Sequence, residues 1–528
     1  MLDAMAECGN VTSSVRALGI DVGSTAVKAV LLRVHDGGLT ELAVAERPTA
    51  GADARGLITL AIAASREVLE RAAHLDGAGA AVPIAVVGIA SMAETGALVA
   101  DAAPIGSLIR WDRDGDPDAR LALAAELDAV ELHRATGAPL APKLPLLTWA
   151  AAAQDGLDPG IRWGFASDLV ALALTGVLAT DHTLAGRSGA YPLPPQGTPL
   201  GQSWDARLLD AVGVPRTLPP EIRTPGTPVG VVLGERLPGA TGVPVHIAGH
   251  DHAVAAHLAG VRAGADGRPG TVVHSLGTTE AVLAVAPDGH PVDRPRAAVD
   301  GISVVRAVDG VREGVLAGSP SAGAMIADWS RRAAESGTDP AALLSDVRDP
   351  SGRAFMLPYL RGRQSPAPDP DARAVLIDAD ADLRGPSTEP AVELSAILRG
   401  LAAHGAWMRA AVMELTRNPS ASRGGDPEVV AVGTPVRSNV RLARLMAALR
   451  SGPLAIVELA APVAVGAALL ALQREGLVGS VAPPMRTVHA SPDLAVDLAE
   501  RFATAIAVPM PRPAASLRTA AHLSTGAP

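Results

Sequence analysis

Aromatic residues are scarce in this chain: six Trp, two Tyr and three Phe make up 2% of 528 residues. Its cores must therefore be packed from small side chains. The 48% apolar content, drawn largely from Ala, Val and Leu, predicts many Ala-rich helices. Cysteine is nearly missing too. The one present, Cys8, excludes an internal disulfide and fits a reducing compartment. Nor is there any excess of basic charge, and a net charge of −10 argues against a nucleic-acid or anionic-membrane partner.

Other absences narrow the field further. The first residues include Asp3 and Glu7 and lack a basic-then-apolar pattern, so no signal peptide is expected. No uncharged run makes a good membrane span: Gly77 to Ala93 is broken by Gly79, Pro83 and Gly88, and Leu459 to Leu472 is too short and contains Pro462. A soluble, cytoplasmic protein is the expectation. No Gly-x-Gly-x-x-Gly follows the first strand, which argues against a Rossmann-type dehydrogenase, and no Gly-x-x-x-x-Gly-Lys-Ser/Thr marks a Walker-type NTPase.

One device is present twice. The apolar run from Ala17 reaches Asp21, turns through Gly23-Ser24-Thr25 and resumes from Ala26 to Leu32 with Lys28 inside it. That pattern reads as two strands joined by a tight turn. The turn's N–H groups and two hydroxyls form a small concavity suited to a phosphate, and Asp21 at the strand end is placed to hold a hydrated Mg²⁺. Read alone, this is ordinary turn chemistry. The repeat changes that reading, because Val272 to Ser275 leads into Gly277-Thr278-Thr279 and a second apolar run from Glu280. Two related lobes, each presenting one phosphate turn to a shared cleft, are the economical explanation.

The rest of the chain falls into place around that repeat. At this length two or more domains are expected. Residues 1–15 look like a flexible arm. A three-stranded meander follows, then a helix from Gly56 to Ala73 and a buried strand from Val82 to Ile89. Glu94, just past that strand, sits where α/β sheets place ligand contacts, although a solvated loop acid reads the same way. Trp111 beside Asp112 offers a ring face and an acceptor for a sugar, while Asp114 and Asp116 read as a turn before a helix starting near Pro117. Ser167 to Thr175 reads as a short helix capped by Gly176. In the polar knot that follows, Asp181 is a better ligand candidate than His182.

Pro192 to Pro238 is expected to be a long surface excursion. Asp251 falls where a strand from Val243 becomes a helix, a position that also suits an N-cap. His250 and His252 flank it, but no third ligand at suitable spacing supports zinc. Gly314 to Ala333 reads as a Gly/Ser-rich segment running into a helix, and Met356 to Leu360 as the start of an irregular stretch. Glu393 to Thr416 reads as a long helix. The strand from Val429 leads into Gly433, a turn able to take the adenosine end of a nucleotide. Ala461 to Leu472 reads as a buried core helix, and residues 508–528 as a disordered tail.

With these residues in place, the chain resembles the FGGY family of carbohydrate kinases, of the xylulokinase and gluconokinase kind, over residues 16 to 507. Asp21-Val22-Gly23-Ser24-Thr25 with Lys28 is similar to the family's first phosphate motif, and Ser275 to Thr279 to its second. Gly249-His250-Asp251 resembles the segment carrying the catalytic base. Gly433 with Arg437-Ser438, and Gly466-Ala467-Ala468, resemble the adenosine motif and the helix after it. Trp111-Asp112 and Thr180-Asp181 are similar to the sugar-contacting segments. This chain departs from the pattern at Gly433-Thr434-Pro435, where three glycines are usual, and at Gly362-Arg363-Gln364-Ser365-Pro366, where Gly-Glu-Arg-x-Pro is frequent.

The resemblance implies a two-lobed α/β actin/hexokinase-type ATPase fold, with duplicated ribonuclease H-like domains around a central cleft. The lobes would span 16–262 and 263–507. It also implies ATP-dependent phosphorylation of a sugar, sugar acid or polyol, with Asp251 as general base, Asp21 for Mg²⁺, and Glu94, Trp111, Asp112, Asp181 and His250 at the acceptor. Gly23, Ser24, Thr25, Lys28, Gly277, Thr278, Thr279, Gly433 and Ser438 would hold the nucleotide. No nucleic-acid or membrane partner is implied, and a homodimer is left open. The competing reading is a nucleotide-dependent sugar sensor on the same fold, which retained Asp21 and Asp251 argue against; ADP release separates the two.

Overall fold

A computed structural model of the chain describes residues 14–75, 83–112, 125, 127–264, 270–346, 353–377, 383–384, 389–417, 427–450, 452–489, 492–495 and 497–507. The arm expected at residues 1–15 lies outside them up to residue 13, as do Cys8, the turn acids Asp114 and Asp116, the helix start near Pro117 and the tail 508–528.

The first sheet is built from β1 (Val15–Val22), β2 (Ala26–His35), β3 (Gly38–Pro48), β4 (Ile84–Ser91), β5 (Pro228–Val231) and β6 (Pro244–His250). Its order is β5-β6-β4-β1-β2-β3, with β1 antiparallel to β2 and parallel to β4. The second sheet holds β7 (Thr271–Leu276), β8 (Glu280–Val285), β9 (Ser303–Arg306), β10 (Glu313–Ser319), β11 (Glu428–Val432), β12 (Leu454–Val457) and β13 (Met485–Val488). Here the order is β9-β10-β8-β7-β11-β12-β13, with β7 antiparallel to β8 and parallel to β11. An antiparallel meander continued by parallel strands thus occurs twice, each time with a Gly-hydroxyl-hydroxyl turn at the tip of its first hairpin. This is the duplicated two-lobed architecture.

The helices follow the apolar spacing. In α1 (Ala54–Leu75), Leu57, Ala61, Ala64, Val68 and Ala72 recur every three or four residues and are buried. The helix α2 (Ala166–Thr175) ends at Gly176, whose φ of 78° supplies the left-handed cap. Also present are α3 (Asp251–Leu258), α4 (Ala322–Glu335), α5 (Pro390–Leu415), α6 (Val440–Ala448) and α7 (Pro462–Arg474). Together α3 and α7 fill the space between the sheets, in an apolar core shared by Ala17, Val30 and Leu32 of the first and Val273, Leu283 and Val430 of the second. Although α7 comes late in the chain, it lies directly on β1 and β4. A Cβ on Gly19 would fall 1.9 Å from the Ala464 carbonyl oxygen, and one on Gly88 2.2 Å from that of Ala467. Glu41 of β3 ties the start of α7 down by accepting from the N–H groups of Ala460 and Ala461, both at 2.8 Å.

Three local expectations need correction. The stretch Pro192–Pro238 is not all surface excursion, because β5 forms the edge of the first sheet and Ala206–Ala211 is helical. Pro228 is tolerated there because the first residue of an edge strand need not donate to a ladder. The Gly/Ser-rich segment before α4 is strand β10, buried throughout. Gly314 allows its close packing, since a Cβ would meet the Ala284 carbonyl oxygen at 2.5 Å. Phe355–Leu357, expected to be irregular, is a short buried strand in a small three-stranded sheet. Among the described residues, no helix is long and apolar enough to cross a membrane.

Candidate active site

The two hairpin turns meet. Each closes on its glycine N–H, from Gly23 to the Ala26 carbonyl at 3.1 Å and from Gly277 to the Thr279 carbonyl at 2.8 Å. Their hydroxyls face one another, with Thr25 Oγ1 3.0 Å from Thr278 Oγ1. Behind the first turn, the Ser24 carbonyl accepts from the Thr49 hydroxyl at 2.8 Å and from the buried Arg110 guanidinium at 2.7 Å. Behind the second, the start of α4 donates to the turn, Gly323 N–H to the Gly277 carbonyl and Ala324 N–H to that of Thr278. Only glycine fits at 323, where a Cβ would lie 2.4 Å from the Gly277 oxygen. These backbone contacts leave the threonine hydroxyls turned toward one another and fix both turns before any ligand arrives.

Asp21, at the end of β1, is paired across the ladder with Lys28, whose ammonium also lies 3.7 Å from Glu46. Its Oδ1 is buried without a hydrogen-bond partner among the described residues. Burial and the nearby Asp251 carboxylate push the Asp21 carboxyl up to about 8, against the pull of Lys28. A carboxylate oxygen without a hydrogen bond, near a second acid and beside a phosphate-type turn, fits a hydrated divalent cation.

Asp251 is the first residue of α3, and the N-cap is His250. The expected N-cap role is displaced by one residue because the chain turns at Gly249, whose φ is 117°. A Cβ there would meet the Thr183 hydroxyl at 2.4 Å. Asp251 Oδ1 accepts from the His252 N–H at 2.7 Å and lies 3.1 Å from His250 Nε2. Burial opposes ionisation of Asp251, but His252 and His250 outweigh it and hold the carboxyl down at about 2. Burial also drives the His252 imidazole down to about 4, so that ring is neutral at pH 7 and lends Asp251 no full charge. What remains is the hydrogen-bond support, enough to keep Asp251 ionised. His252 in turn bridges to the second turn, through Nδ1 to Ser275 Oγ at 3.0 Å and Nε2 to Thr279 Oγ1 at 3.1 Å. The three side chains are close enough to hold a metal, but both His252 nitrogens are already engaged.

Asp251 opens onto a cleft between the sheets, lined on one side by Glu94, Trp111, Lys143 and Arg187 and on the other by Thr279, Ser319 and Gln364. Glu94, with φ of 52°, accepts from Arg187 Nε at 3.1 Å and Nη2 at 2.6 Å, and Lys143 Nζ stands 3.5 Å away. Burial would raise its carboxyl, yet Arg187, Lys143 and His250 hold it at about 2. Arg187 also reaches across to Ser303 Oγ of β9.

Not every expected contact faces this cleft. Asp112 is gripped by Arg110 at 2.9 and 3.2 Å, so its carboxylate serves the arginine that props the first turn. Asp181 is buried as the N-cap of the short helix His182–Ala185, its Oδ1 accepting from Thr183 N–H and Oγ1. Thr183 Oγ1 then accepts from the His250 N–H at 2.8 Å, so Asp181 braces the turn that aims Asp251. Gly433, with φ of 122°, lies where a Cβ would stand 1.8 Å from the Leu276 carbonyl oxygen, pressing the third motif against the second turn. Ser438 is exposed, and its hydroxyl donates to the Thr434 carbonyl within the same short helix. His252, Arg187 and Lys143 went unassigned in the sequence reading, because their partners are remote in the chain.

Sequence and structure comparisons bear on the family and the fold. The N-terminal domain of the FGGY family of carbohydrate kinases matches residues 16–257 and the C-terminal domain residues 272–473. No curated protein sequence matches the chain. Among solved structures, gluconate kinase from Lactobacillus acidophilus superposes with a TM-score of 0.70 at 16% identity, covering 94% of this chain and 97% of that one. Xylulose kinase from the same organism gives 0.71 at 15% identity, covering 93% and 97%. Glycerol kinase from Plasmodium falciparum, solved with ADP, gives 0.70 at 15% identity with the same coverage. At such identities the structures speak for the fold and the two matched domains for the family. The chain belongs to the FGGY family of carbohydrate kinases, enzymes that transfer phosphate from ATP to an alcohol group.

Proposed function

We propose that this enzyme transfers the γ-phosphate of ATP to a hydroxyl of a sugar, sugar acid or polyol, with Asp251 as the general base. The observation that carries the proposal is convergence. Two glycine-hydroxyl turns are in contact, the ionised Asp251 shares its cleft with Thr279 of the second turn, and Asp21, with one carboxylate oxygen lacking a hydrogen bond among the described residues, lies near enough to feel the Asp251 charge. Asp251 takes the proton of the acceptor hydroxyl as its oxygen attacks the γ-phosphorus. The backbone and hydroxyl groups of residues 23–25 and 277–279, with Lys28, bind and orient the phosphates, while Gly433 and Ser438 belong to the adenosine end. Asp21, with Asp251 near it, would hold Mg²⁺, which when bound neutralises charge on the transferring group. Glu94, Trp111 and His250 orient the acceptor, and Asp112 and Asp181 steady the segments that carry them. Residues 16–262 and 263–507 act as the two lobes, closing to exclude water.

Family membership favours this reading over a non-catalytic sensor. The single cysteine, Cys8, supports a cytoplasmic setting. An ADP-release assay across pentuloses, hexuloses, aldonic acids and polyols tests the proposal. Acceptor-dependent, Mg²⁺-dependent ADP release is expected; ATP turnover indifferent to every acceptor would contradict it.

A further inference from the structure

Around Trp111 four cations stand beside two acids, Glu94 and Asp112, while the other acids lining the cleft, Asp251 and Glu280, are held by histidines. Glu94 is answered by Arg187 through two hydrogen bonds, and Asp112 by Arg110 through two more. That leaves Lys143 and Arg361. Among the described residues Lys143 Nζ has only long contacts, 3.5 Å to the already paired Glu94 and 3.3 Å to Gln364 Oε1. Arg361, half-exposed at the rim, stands 3.7 Å from the already paired Asp112. Both surplus cations flank one ring, each 5.8 Å from the centroid of Trp111. Burial and Arg187 both work against the Lys143 charge, with Glu94 opposing them. A partly buried cation without a short partner is costly and is relieved by an anion.

Composition adds an independent observation. Of 45 Lys and Arg residues only two are lysine, Lys28 beside the first phosphate turn and Lys143 in the acceptor pocket. A chain that uses arginine at every other cationic position keeps the compact ammonium at these two. A lysine is a small point charge with three donors, suited to meeting a ligand anion where a planar guanidinium would not fit.

We infer that the acceptor is a sugar acid, whose carboxylate is met by Lys143 and Arg361 beside Trp111 while a hydroxyl of the same molecule faces Asp251. This rests on the kinase reading above and narrows its acceptor class. A neutral sugar or polyol leaves both cations unanswered, so the pocket selects against it as well as for the acid.

The test pairs turnover with binding, using the full-length enzyme. Aldonates of four to six carbons are compared with the alditols and alditol phosphates of the same length. Turnover is read by ADP release, and binding by calorimetry on the Asp251→Asn variant with ADP and Mg²⁺. The preferred aldonate should exceed its alditol by about tenfold or more in kcat/KM and in affinity, with a preference that weakens as salt is raised. Lys143→Met should shift the aldonate-to-alditol ratio about tenfold toward the alditol, and Lys143→Arg should retain more of the preference. Equal or better use of alditols or ketoses overturns the inference while leaving the kinase intact. Preference for an alditol phosphate overturns the carboxylate assignment. If nothing is turned over, the kinase reading fails, and the binding ratio still decides whether the pocket selects an acid.

Discussion

The side-chain oxygens of Thr25 and Thr278 lie 3.0 Å apart, although one sits at the tip of the first hairpin and the other at the tip of the equivalent hairpin in the second sheet. In that contact one hydroxyl donates its proton to the other, and the accepting threonine keeps its own proton for a phosphate threaded between the turns. In the proposed reaction the polyphosphate enters at this contact. Each hydroxyl–phosphate contact should be worth about 1–3 kcal/mol. Thr25→Val and Thr278→Val are each expected to lower kcat/KM for ATP by about 10- to 100-fold, and the double variant by less than the product. Steady-state kinetics of the four proteins measures this; full retention in both single variants would remove the turns from phosphate binding.

The Mg²⁺ role proposed for Asp21 ties metal binding to pH and stability. Its carboxyl is pushed up to about 8 in the folded chain against an ordinary 3.8. Between these values the folded state holds a proton that the unfolded state has lost, so stability falls as pH rises through that window. Asp21→Asn removes the penalty. Without Mg²⁺ at pH 7–8 it should be more stable than the parent by about 1–3 kcal/mol, while losing the Mg²⁺-induced rise in Tm. Scanning calorimetry with and without Mg²⁺ reads both effects, and an identical Mg²⁺ response in the two proteins would contradict the assignment.

The Glu94–Arg187 pair makes the opposite prediction for acid. Glu94 is held at about 2 against an ordinary 4.5, so its contribution is complete above 4.5 and is lost as pH falls through 2. Arg187→Met strands a buried carboxylate and should cost about 3–5 kcal/mol at pH 7. Adding Glu94→Gln should recover a large part. Chemical denaturation of the three proteins at pH 7 and pH 4 checks this, with the gap between parent and Arg187→Met shrinking at the lower pH.

Gly433 has no room for a side chain. With φ at 122° and the Leu276 oxygen 1.8 Å from any added Cβ, Gly433→Ala must move the strand end that carries the second turn. Backbone strain alone costs about 1–3 kcal/mol. Lower Tm together with weaker ADP binding is expected. A fall in Tm with unchanged ADP affinity would detach the third motif from the nucleotide site.

Much of this site was readable in the chain because its parts are local. Glycine followed by two hydroxyl residues between apolar runs announces a turn by composition alone, and its second copy announces the duplicated lobes. The strand-to-helix change around Asp251 is equally local, off by one residue only because Gly249 takes the turn. What escaped depends on partners far away in sequence. Arg110 holds its near neighbour Asp112, but the Ser24 carbonyl that makes Arg110 a prop for the first turn lies far off in the chain, and nothing near His252 announces Ser275 or Thr279. Likewise, α7 reads as core, but its seat on β1 is set by Gly19 and Gly88, which meet it only in three dimensions. Lys143 did leave a trace, since it is one of two lysines in the chain.

Asp251→Asn tests the central claim most directly, because it keeps the shape of the side chain and removes its basicity. With ATP, Mg²⁺ and the best acceptor saturating, kcat should fall by about 10²–10⁴-fold while the dissociation constant for ADP changes by less than about threefold. Undiminished turnover, or loss of ADP binding in step with turnover, would contradict a general base standing at the meeting point of the two turns.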